Sequence, residues 1–255
     1  MRLAQGDLSD RESLAAAIAG HDLVFHVAGC ITALHSEQFY RINTEGMRNI
    51  SLACAAQAQP PVVVAVSSLA AAGPAIAGKP RTELDPLSQC SHYGRSKRQG
   101  ELAMQQVADR APITILRPPI VLGEWDTLGL PLFRTIARTG FHIVPSYAPH
   151  RYSVIHAADL TNALLLAAER GKRLLPNVNG DAATASQGYY FVSDAQTPTY
   201  ADLGRMVGQA LGRRRTRIIR FSRVAVWTVA TGGEIIGRLR GKPVYLNRDK
   251  AREIT

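Results

Sequence analysis

The chain has 255 residues, of which 46% are apolar and 20% are charged, a composition typical of a folded globular protein and not of a disordered or fibrous one. Its net charge of +10 is concentrated near one end: residues 204–255 hold 13 Lys and Arg against 3 Asp and Glu, whereas residues 1–203 hold 17 of each sign. The first residues lack the apolar segment of a secretory signal, and the apolar run "VAVWTVA" (224–230) is far shorter than the ~20 residues of a membrane span.

The three cysteines, Cys30, Cys54 and Cys90, are odd in number and do not have the spacing of metal ligands. Reduced thiols of this kind are typical of the cytoplasm. We therefore expect a cytoplasmic protein without a transmembrane segment or a bound metal.

Three short apolar runs rich in β-branched residues, "DLVFHVAG" (22–29), "PVVVAVSS" (61–68) and "PITILRPP" (112–119), have the pattern of buried parallel strands. The segment 36–59 between the first two has the apolar spacing of an amphipathic helix. A second helix, from about Ser91, lies between the other two. This alternation predicts right-handed crossovers and a doubly wound parallel α/β sheet.

Further elements follow Pro119. The segment 199–212 begins with Thr199 and Asp202 at capping-box spacing, and the last forty residues have the pattern of helices outside the sheet. The other predicted elements are helices at 127–140 and 157–171, strands at 151–155 and 189–194, and a loop at 176–188.

The excess of basic residues begins at "GRRRTRIIR" (212–220). Such a tail can meet nucleic acid, anionic lipid or a phosphorylated ligand, or it can be an ordinary solvated face. No zinc-finger, helix-turn-helix or aromatic RNA-binding signature accompanies it. We expect no specific nucleic-acid binding, and peripheral membrane contact of the basic tail stays open.

The segment "SHYGRSK" (91–97) places Tyr93 four residues before Lys97, so that both share one face of a helix. A phenol with a pKa of about 10 is a poor acid–base group at neutral pH, and a nearby ammonium favours the phenolate. Ser67 and Ser68 end the second strand, where ligands bind in open parallel sheets. We predict that Ser68 orients a substrate oxygen while Tyr93 transfers its proton and hydride moves to or from carbon.

Seven segments, in this order, resemble the motifs of the extended short-chain dehydrogenase/reductases. They are "GDLSD" (6–10), "HVAG" (26–29), "INTEGMRNI" (42–50), "SSLAAAG" (67–73), "YGRSK" (93–97), "LRPPIVLGEWD" (116–126) and "RYSVIHAADL" (151–160). The resemblance covers nearly the whole chain.

The resemblance implies a catalytic group of Ser68, Tyr93 and Lys97, the distance to Gly73 selecting Ser68 over Ser67. Asn43 would brace the sheet. The implied cofactor is NAD or NADP. The residues implied to bind it are Asp7 and Leu8 at the adenine, Ala28, Gly29 and Ser67 at the strand ends, Tyr93 and Lys97, and Pro118 beside the nicotinamide.

Other polar residues in these segments have simpler interpretations. His26 is interpreted as a packed strand residue and not as a base. His156 and Asp159 have the spacing of a metal pair, but with no third ligand we expect His156 to cap the following helix. Arg151 either touches substrate or pairs with a carboxylate. No Gly-x-Ser-x-Gly motif of a serine hydrolase is present.

The Gly-rich turn that holds the dinucleotide pyrophosphate is absent. Relatives place about sixty residues, with that turn and two strands, before the "GDLSD" segment. We therefore expect an N-terminally incomplete Rossmann-type sheet, in which "LAQGD" (3–7) lacks strand neighbours. The missing part would also carry the residue that selects NAD or NADP.

The predicted domains are an incomplete cofactor-binding core at 1–170, with 120–150 contributing to the substrate side, and a smaller, mostly helical substrate lobe with the basic tail at 171–255. The predicted function is an NAD(P)-dependent oxidoreductase acting on a secondary alcohol or ketone. "RPPIVLG" and the apolar, basic tail favour a sterol-like or other apolar substrate, as in the 3β-hydroxysteroid dehydrogenase branch.

Two alternatives are a nucleotide-sugar epimerase or dehydratase of the same family and a truncated, non-catalytic remnant that no longer binds cofactor. The family often forms homodimers through the helix bearing the Tyr–Lys pair, so a homodimer is a further expectation.

Overall fold

The computed structural model describes residues 3–75, 79–176 and 182–254. The fold consists of two units, each built from two stretches of chain. Met1–Pro118 and Thr161–Val192 form the first unit, and Pro119–Leu160 and Ser193–Thr255 form the second. The predicted division at residue 170 separates a cofactor-binding core from a substrate lobe, and this functional division stays a prediction.

The described residues form eight strands and ten α-helices. The strands are β1 Leu23–His26, β2 Val62–Val66, β3 Ile113–Arg117, β4 Ile120–Leu122, β5 Phe141–Val144, β6 Val154–His156, β7 Tyr189–Phe191 and β8 Arg217–Arg220. The helices are α1 Arg11–Ile18, α2 Ser36–Phe39, α3 Gly46–Ala55, α4 His92–Gln105, α5 Leu130–Thr139, α6 Ala157–Arg170, α7 Ala182–Ala185, α8 Tyr200–Ala210, α9 Arg223–Arg240 and α10 Arg248–Ile254.

The first unit contains a four-stranded parallel sheet in the order β1-β2-β3-β7. Phe25 is in register with Val64, and Ala65 with Ile115. The strands of this sheet are joined by helical crossovers, which confirms the predicted α/β, Rossmann-type class. Residues 3–7 form no strand, and the N-terminal incompleteness of the sheet stays a prediction.

The core of this unit lies between the sheet and the helices α1, α3 and α4. Its fully buried members include Met47 from α3, Met104 from α4 and Ile113 from β3. A Cβ at Gly100 would overlap the Asn43 carbonyl oxygen and lie 2.6 Å from the Met47 sulfur. The absence of a side chain at Gly100 therefore lets α4 approach its neighbours closely.

The segment 36–59 is helical, but it is not the single amphipathic α-helix that its spacing predicts. A π-helical stretch, Tyr40–Glu45, separates α2 from α3. Wide turns of this kind are common at functional sites. Here the stretch contains Asn43 and Thr44, and Thr44 Oγ1 donates to the Ser96 carbonyl of α4 at 2.8 Å.

The second unit contains two two-stranded parallel sheets, β4–β6 and β5–β8. Two local predictions are confirmed: Thr199 and Asp202 form a capping box on α8, and His156 Nδ1 accepts from the Ala158 backbone at 3.2 Å, capping the start of α6. The interpretation of the tail as helices alone is wrong at β8, which pairs with β5. The loop predicted at 176–188 includes residues 177–181, which lie outside the described residues.

Among the described residues, no helix is both long and apolar enough to cross a membrane.

Substituting alanine for two helix glycines, Gly100 and Gly232, should change the free energy of unfolding in opposite directions. Gly100→Ala forces a Cβ against the Asn43 backbone and should lower the free energy of unfolding by about 1–3 kcal/mol. Gly232→Ala, in α9, meets nothing within 4 Å and should raise it by about 0.5–1 kcal/mol, because glycine is a poor helix former. Urea unfolding measures both, and equal stability of the Gly100→Ala variant and wild type would contradict the close packing.

Candidate functional site

The segments that follow β2 and β3 are held side by side at the carboxyl ends of these strands. The Ser67 backbone N–H donates to the Leu116 carbonyl at 2.7 Å, and the Leu69 N–H donates to the Pro118 carbonyl at 2.9 Å. Ser68 begins a short 3₁₀ turn, Leu69–Ala71, in which its hydroxyl accepts from the Ala70 N–H at 3.2 Å. Ser68 and Pro118 therefore lie at the edge where open parallel sheets bind ligands.

The first turn of α4 packs directly on this 3₁₀ turn. Ser91 caps the helix, its hydroxyl accepting from the Gly94 N–H at 2.9 Å. A side chain at Gly94 would collide with the Ala70 carbonyl. The contact brings the helix turn that carries Tyr93 against the turn that begins at Ser68.

Tyr93 and Lys97 both lie in α4, one helical turn apart, as their spacing predicts. The Tyr93 ring is half-buried and meets the edge of Phe39, with ring centroids 6.0 Å apart and an angle of 62° between the planes. Its backbone carbonyl accepts from Ser96 Oγ at 2.8 Å.

Lys97 is buried, with 3% of its surface exposed, and its ammonium Nζ donates to the Val66 carbonyl at 3.1 Å. The same nitrogen would lie 2.8 Å from a Cβ at Gly29, so it sits beside the segment that follows β1. Burial lowers the pKa of Lys97 to about 8, against the opposing influence of the Glu101 carboxylate. The ammonium therefore remains mostly protonated at neutral pH.

Asn43 joins the segment after β1 to α4. Its Oδ1 accepts from the Cys30 N–H at 2.7 Å, and its Nδ2 donates to the Cys30 carbonyl at 2.9 Å and to Ser96 Oγ at 3.0 Å. The side chain is 1% exposed. These contacts place Asn43 as the brace that the motif resemblance implies.

A buried carboxylate, Glu101, lies one turn beyond Lys97 in α4 and is fully buried. Arg117 binds it in bidentate fashion, Nε to Oε1 at 2.8 Å and Nη2 to Oε2 at 2.7 Å. Arg98 adds a bond to Oε2 at 3.1 Å, and Ser67 Oγ donates to Oε1 at 2.6 Å. Although burial by itself raises the pKa of Glu101, the hydrogen bonds and charge of Arg117 hold it below the ordinary value.

Motif reasoning missed this network. The sequence shows that Glu101 follows Lys97 at helical spacing and that Arg117 ends a buried strand, but nothing in it pairs the two side chains. Motif reasoning assigned Ser67 to the cofactor, and its hydroxyl is used by Glu101. A cofactor contact of Ser67 stays a prediction.

His26, at the end of β1, is 4% exposed, and its Nε2 meets no hydrogen-bond partner among the described residues. Burial, with the nearby charge of Lys97, lowers the pKa of His26 to about 4. The ring is neutral at pH 7, in accord with its interpretation as a packed strand residue.

The remaining predicted cofactor residues in this unit lie in two segments. Asp7 Oδ1 accepts from the Ser9 hydroxyl and N–H at 2.6 and 2.7 Å, bonds that lower the pKa of Asp7. The Leu8 carbonyl accepts from Asn49 Nδ2 of α3 at 2.8 Å. Ala28 and Gly29, which follow β1, are exposed.

Arg151 belongs to the second unit, where its Nη1 donates to the Thr197 carbonyl at 2.9 Å. A contact with substrate stays a prediction. Within the described residues, no three His, Cys, Asp or Glu side chains come together in a way that could hold a metal ion.

Replacing Glu101 with glutamine should destabilise the protein strongly. The variant leaves Arg117 buried without a counter-charge, a loss of about 3–5 kcal/mol. Glu45→Gln removes an exposed ion pair with Arg48 and should cost under about 1 kcal/mol. Urea unfolding at pH 7 compares the two, and similar losses would contradict a structural role of the network.

The difference in stability between wild type and Glu101→Gln should depend on pH. A carboxylate whose folded pKa is depressed stabilises the fold above its unfolded pKa of about 4.3 and loses that contribution as the pH falls through the folded value. The stability difference between wild type and Glu101→Gln should therefore shrink below about pH 4. A difference that stays constant from pH 7 to pH 3 would contradict this assignment.

Comparison with known proteins identifies a family and several curated relatives. Residues 1–223 match the model of the 3-beta hydroxysteroid dehydrogenase/isomerase family. A ceramide reductase of Caulobacter vibrioides is 30% identical over 251 residues, covering 98% of this chain and 68% of the relative. The chain spans 51% of a 4-hydroxy-2-methyl-3-oxo-4-farnesyl-3,4-dihydroquinoline-1-oxide ketoreductase of Stigmatella aurantiaca and 58% of sterol demethylase protein B of Methylococcus capsulatus, at 31% and 28% identity.

Solved structures show the same fold. The crystal structure of gox2253 superposes with a TM-score of 0.71 at 25% identity, over 97% of this chain and 72% of that one. MoeE5, solved in complex with UDP-glucose and NAD, gives a TM-score of 0.68 at 20% identity, over 86% of this chain and 71% of that one.

Proposed function

Because the chain belongs to the 3-beta hydroxysteroid dehydrogenase/isomerase family, we propose that it is an NAD(P)-dependent oxidoreductase that interconverts a secondary alcohol and a ketone on an apolar substrate. The family match confirms the resemblance to the extended short-chain dehydrogenase/reductases.

The observation that supports the proposal most is the packing of the Tyr93–Lys97 turn of α4 against the carboxyl ends of β1 and β2. Lys97 Nζ is tied to the Val66 carbonyl, and Gly94 lets the helix touch the turn that begins at Ser68. This packing supports the proposal that a hydroxyl, a phenol and an ammonium, from Ser68, Tyr93 and Lys97, act together.

Each of the three side chains has a distinct task in this proposal. Ser68 donates a hydrogen bond to the substrate oxygen and orients it. Tyr93 gives its phenolic proton to that oxygen in ketone reduction and takes it back in alcohol oxidation. The Lys97 ammonium favours the phenolate, so it lowers the cost of moving the proton at neutral pH.

The residues after β1 fit a dinucleotide. Gly29 is exposed and has no Cβ, and the buried ammonium of Lys97 lies beneath it. Ala28, Gly29, Ser67 and Pro118 would contact the nicotinamide side, and Asp7 and Leu8 the adenine. When bound, NAD or NADP supplies or accepts the hydride, while the protein orients the substrate and moves the proton.

An apolar, lipid-like substrate is favoured over a nucleotide sugar. The relative that matches over 98% of this chain at 30% identity is named a ceramide reductase. The likeness to MoeE5, whose complex contains UDP-glucose, is at 20% identity and supports the shared fold alone. A nucleotide-sugar epimerase or dehydratase is the second candidate function.

Tyr93→Phe keeps the ring but removes the phenolic hydroxyl, and with it the transferable proton, so it should lower kcat about 10²–10⁴-fold. Tyr147→Phe, at an exposed tyrosine in the segment predicted to contribute to the substrate side, is the matched control: it can change KM but should keep kcat near the wild-type value. The assay follows the absorbance of the reduced nicotinamide ring, with NADH and NADPH and a panel of long-chain keto-lipids and 3-ketosteroids.

Two results would contradict the proposal. Conversion of UDP-sugars without turnover of any keto-lipid or steroid would favour the epimerase function. Full activity of Tyr93→Phe would contradict the proposed role of Tyr93 in proton transfer. Cofactor titration followed by nicotinamide fluorescence separates loss of catalysis from loss of binding, because Tyr93→Phe should still bind NAD(P)H.

A further inference from the structure

The eighteen-residue helix α9 has two faces of opposite environment. One face is buried by α10 and the segment that leads to it: Val226 and Ala230 pack with Ala251, and Gly237 approaches the Lys242 carbonyl. The packing of this face holds α9 against the rest of the second unit.

The other face is apolar and exposed. Its five large residues fall within an arc of about 140° at 3.6 residues per turn. They are Val224 (75% exposed), Val229 (58%), Ile235 (56%), Ile236 (48%) and Leu239 (83%), and together they are called the α9 apolar face below. Thr228 and Gly232 share the arc, and no charged residue of this fully described helix lies inside it.

Basic side chains border this face. Arg238 and Arg240 flank the arc in the last turn and both are exposed, whereas Arg223, at the start of the helix, lies on the opposite side. Glu234, the acidic residue of α9, is half-buried and held in ion pairs with Arg238 at 2.7 Å and Arg248 at 3.1 Å. The surrounding segment, residues 204–255, has 13 basic and 3 acidic residues.

We infer that the α9 apolar face is an interfacial membrane-binding surface, which inserts into the headgroup region of a bilayer containing anionic lipids. An exposed apolar stripe bordered by arginines is the arrangement of helices that lie in the plane of a membrane with their apolar side inserted. At 1.5 Å per residue, the helix offers a contact about 27 Å long.

The positive charge of the surrounding segment favours a bilayer over a second copy of the chain as the partner of the α9 apolar face. Two copies would bring two strongly basic segments together, and these repel at physiological ionic strength. An anionic bilayer satisfies both features at once, because its phosphates attract the arginines and its acyl region takes the apolar side chains. The inference is independent of the proposed reaction.

The test is co-sedimentation of the whole chain with vesicles. The protein should bind phosphatidylcholine vesicles that contain phosphatidylglycerol, bind pure phosphatidylcholine vesicles weakly, and lose affinity as salt is raised. The double variant Ile235→Glu with Leu239→Glu should bind the anionic vesicles about tenfold or more weakly, since it places carboxylates where the acyl chains would be.

The matched control is Met206→Glu with Leu211→Glu. These residues are 49% and 42% exposed in and just after α8, so the control adds the same charge to the same unit away from the α9 apolar face. It should keep most of the binding. Far-UV circular dichroism and urea unfolding check that both variants fold.

Three results would overturn the inference. The first is no binding of the wild type to anionic vesicles. The second is equal loss of binding in the α9 variant and the control, which would show that net charge alone governs it. The third is a dimer in light scattering that the α9 variant abolishes while vesicles do not bind, which would assign the face to a second copy.

Discussion

The position of α4 depends on one buried carboxylate. Glu101 binds Arg117 at the end of β3 and the Ser67 hydroxyl after β2, while the Arg117 guanidinium lies over the Tyr189 ring of β7, 4.5 Å from its centroid. Glu101 thus binds β3 and the residue after β2 directly and is linked to β7 through Arg117, and these bonds fix the rotation of the helix. Because Lys97 and Tyr93 lie one and two turns before Glu101 on the same helix, that rotation also sets where they point.

The two buried charges of α4 serve different ends. The Glu101 carboxylate has its hydrogen bonds and its counter-charge, so it stays ionised and holds the scaffold. The Lys97 ammonium donates to the Val66 carbonyl and interacts with the Glu101 carboxylate through charge alone, and burial lowers its pKa to about 8. A group whose pKa lies near the working pH responds to the charges beside it, which agrees with the proposed assistance of Lys97 to the Tyr93 phenol.

The two units divide the properties of the protein. The first holds the parallel sheet and the residues proposed for proton transfer, Ser68, Tyr93 and Lys97. The second holds the α9 apolar face and residues 204–255, where the excess of basic over acidic residues lies. The proposed proton transfer and the proposed membrane binding therefore depend on different elements, and their tests use separate variants.

The sequence by itself determined what depends on local pattern. Runs of β-branched residues predicted β1, β2 and β3, Thr199 and Asp202 predicted the start of α8, and the motifs predicted the family. Only the tertiary structure decided what depends on distant partners. The strand β8 exists because β5, over seventy residues earlier, offers a pairing edge, and the Glu101 network exists because folding brings α4, β2, β3 and β7 together. Such pairings leave no local signature, since neither partner's neighbourhood in the sequence contains the other.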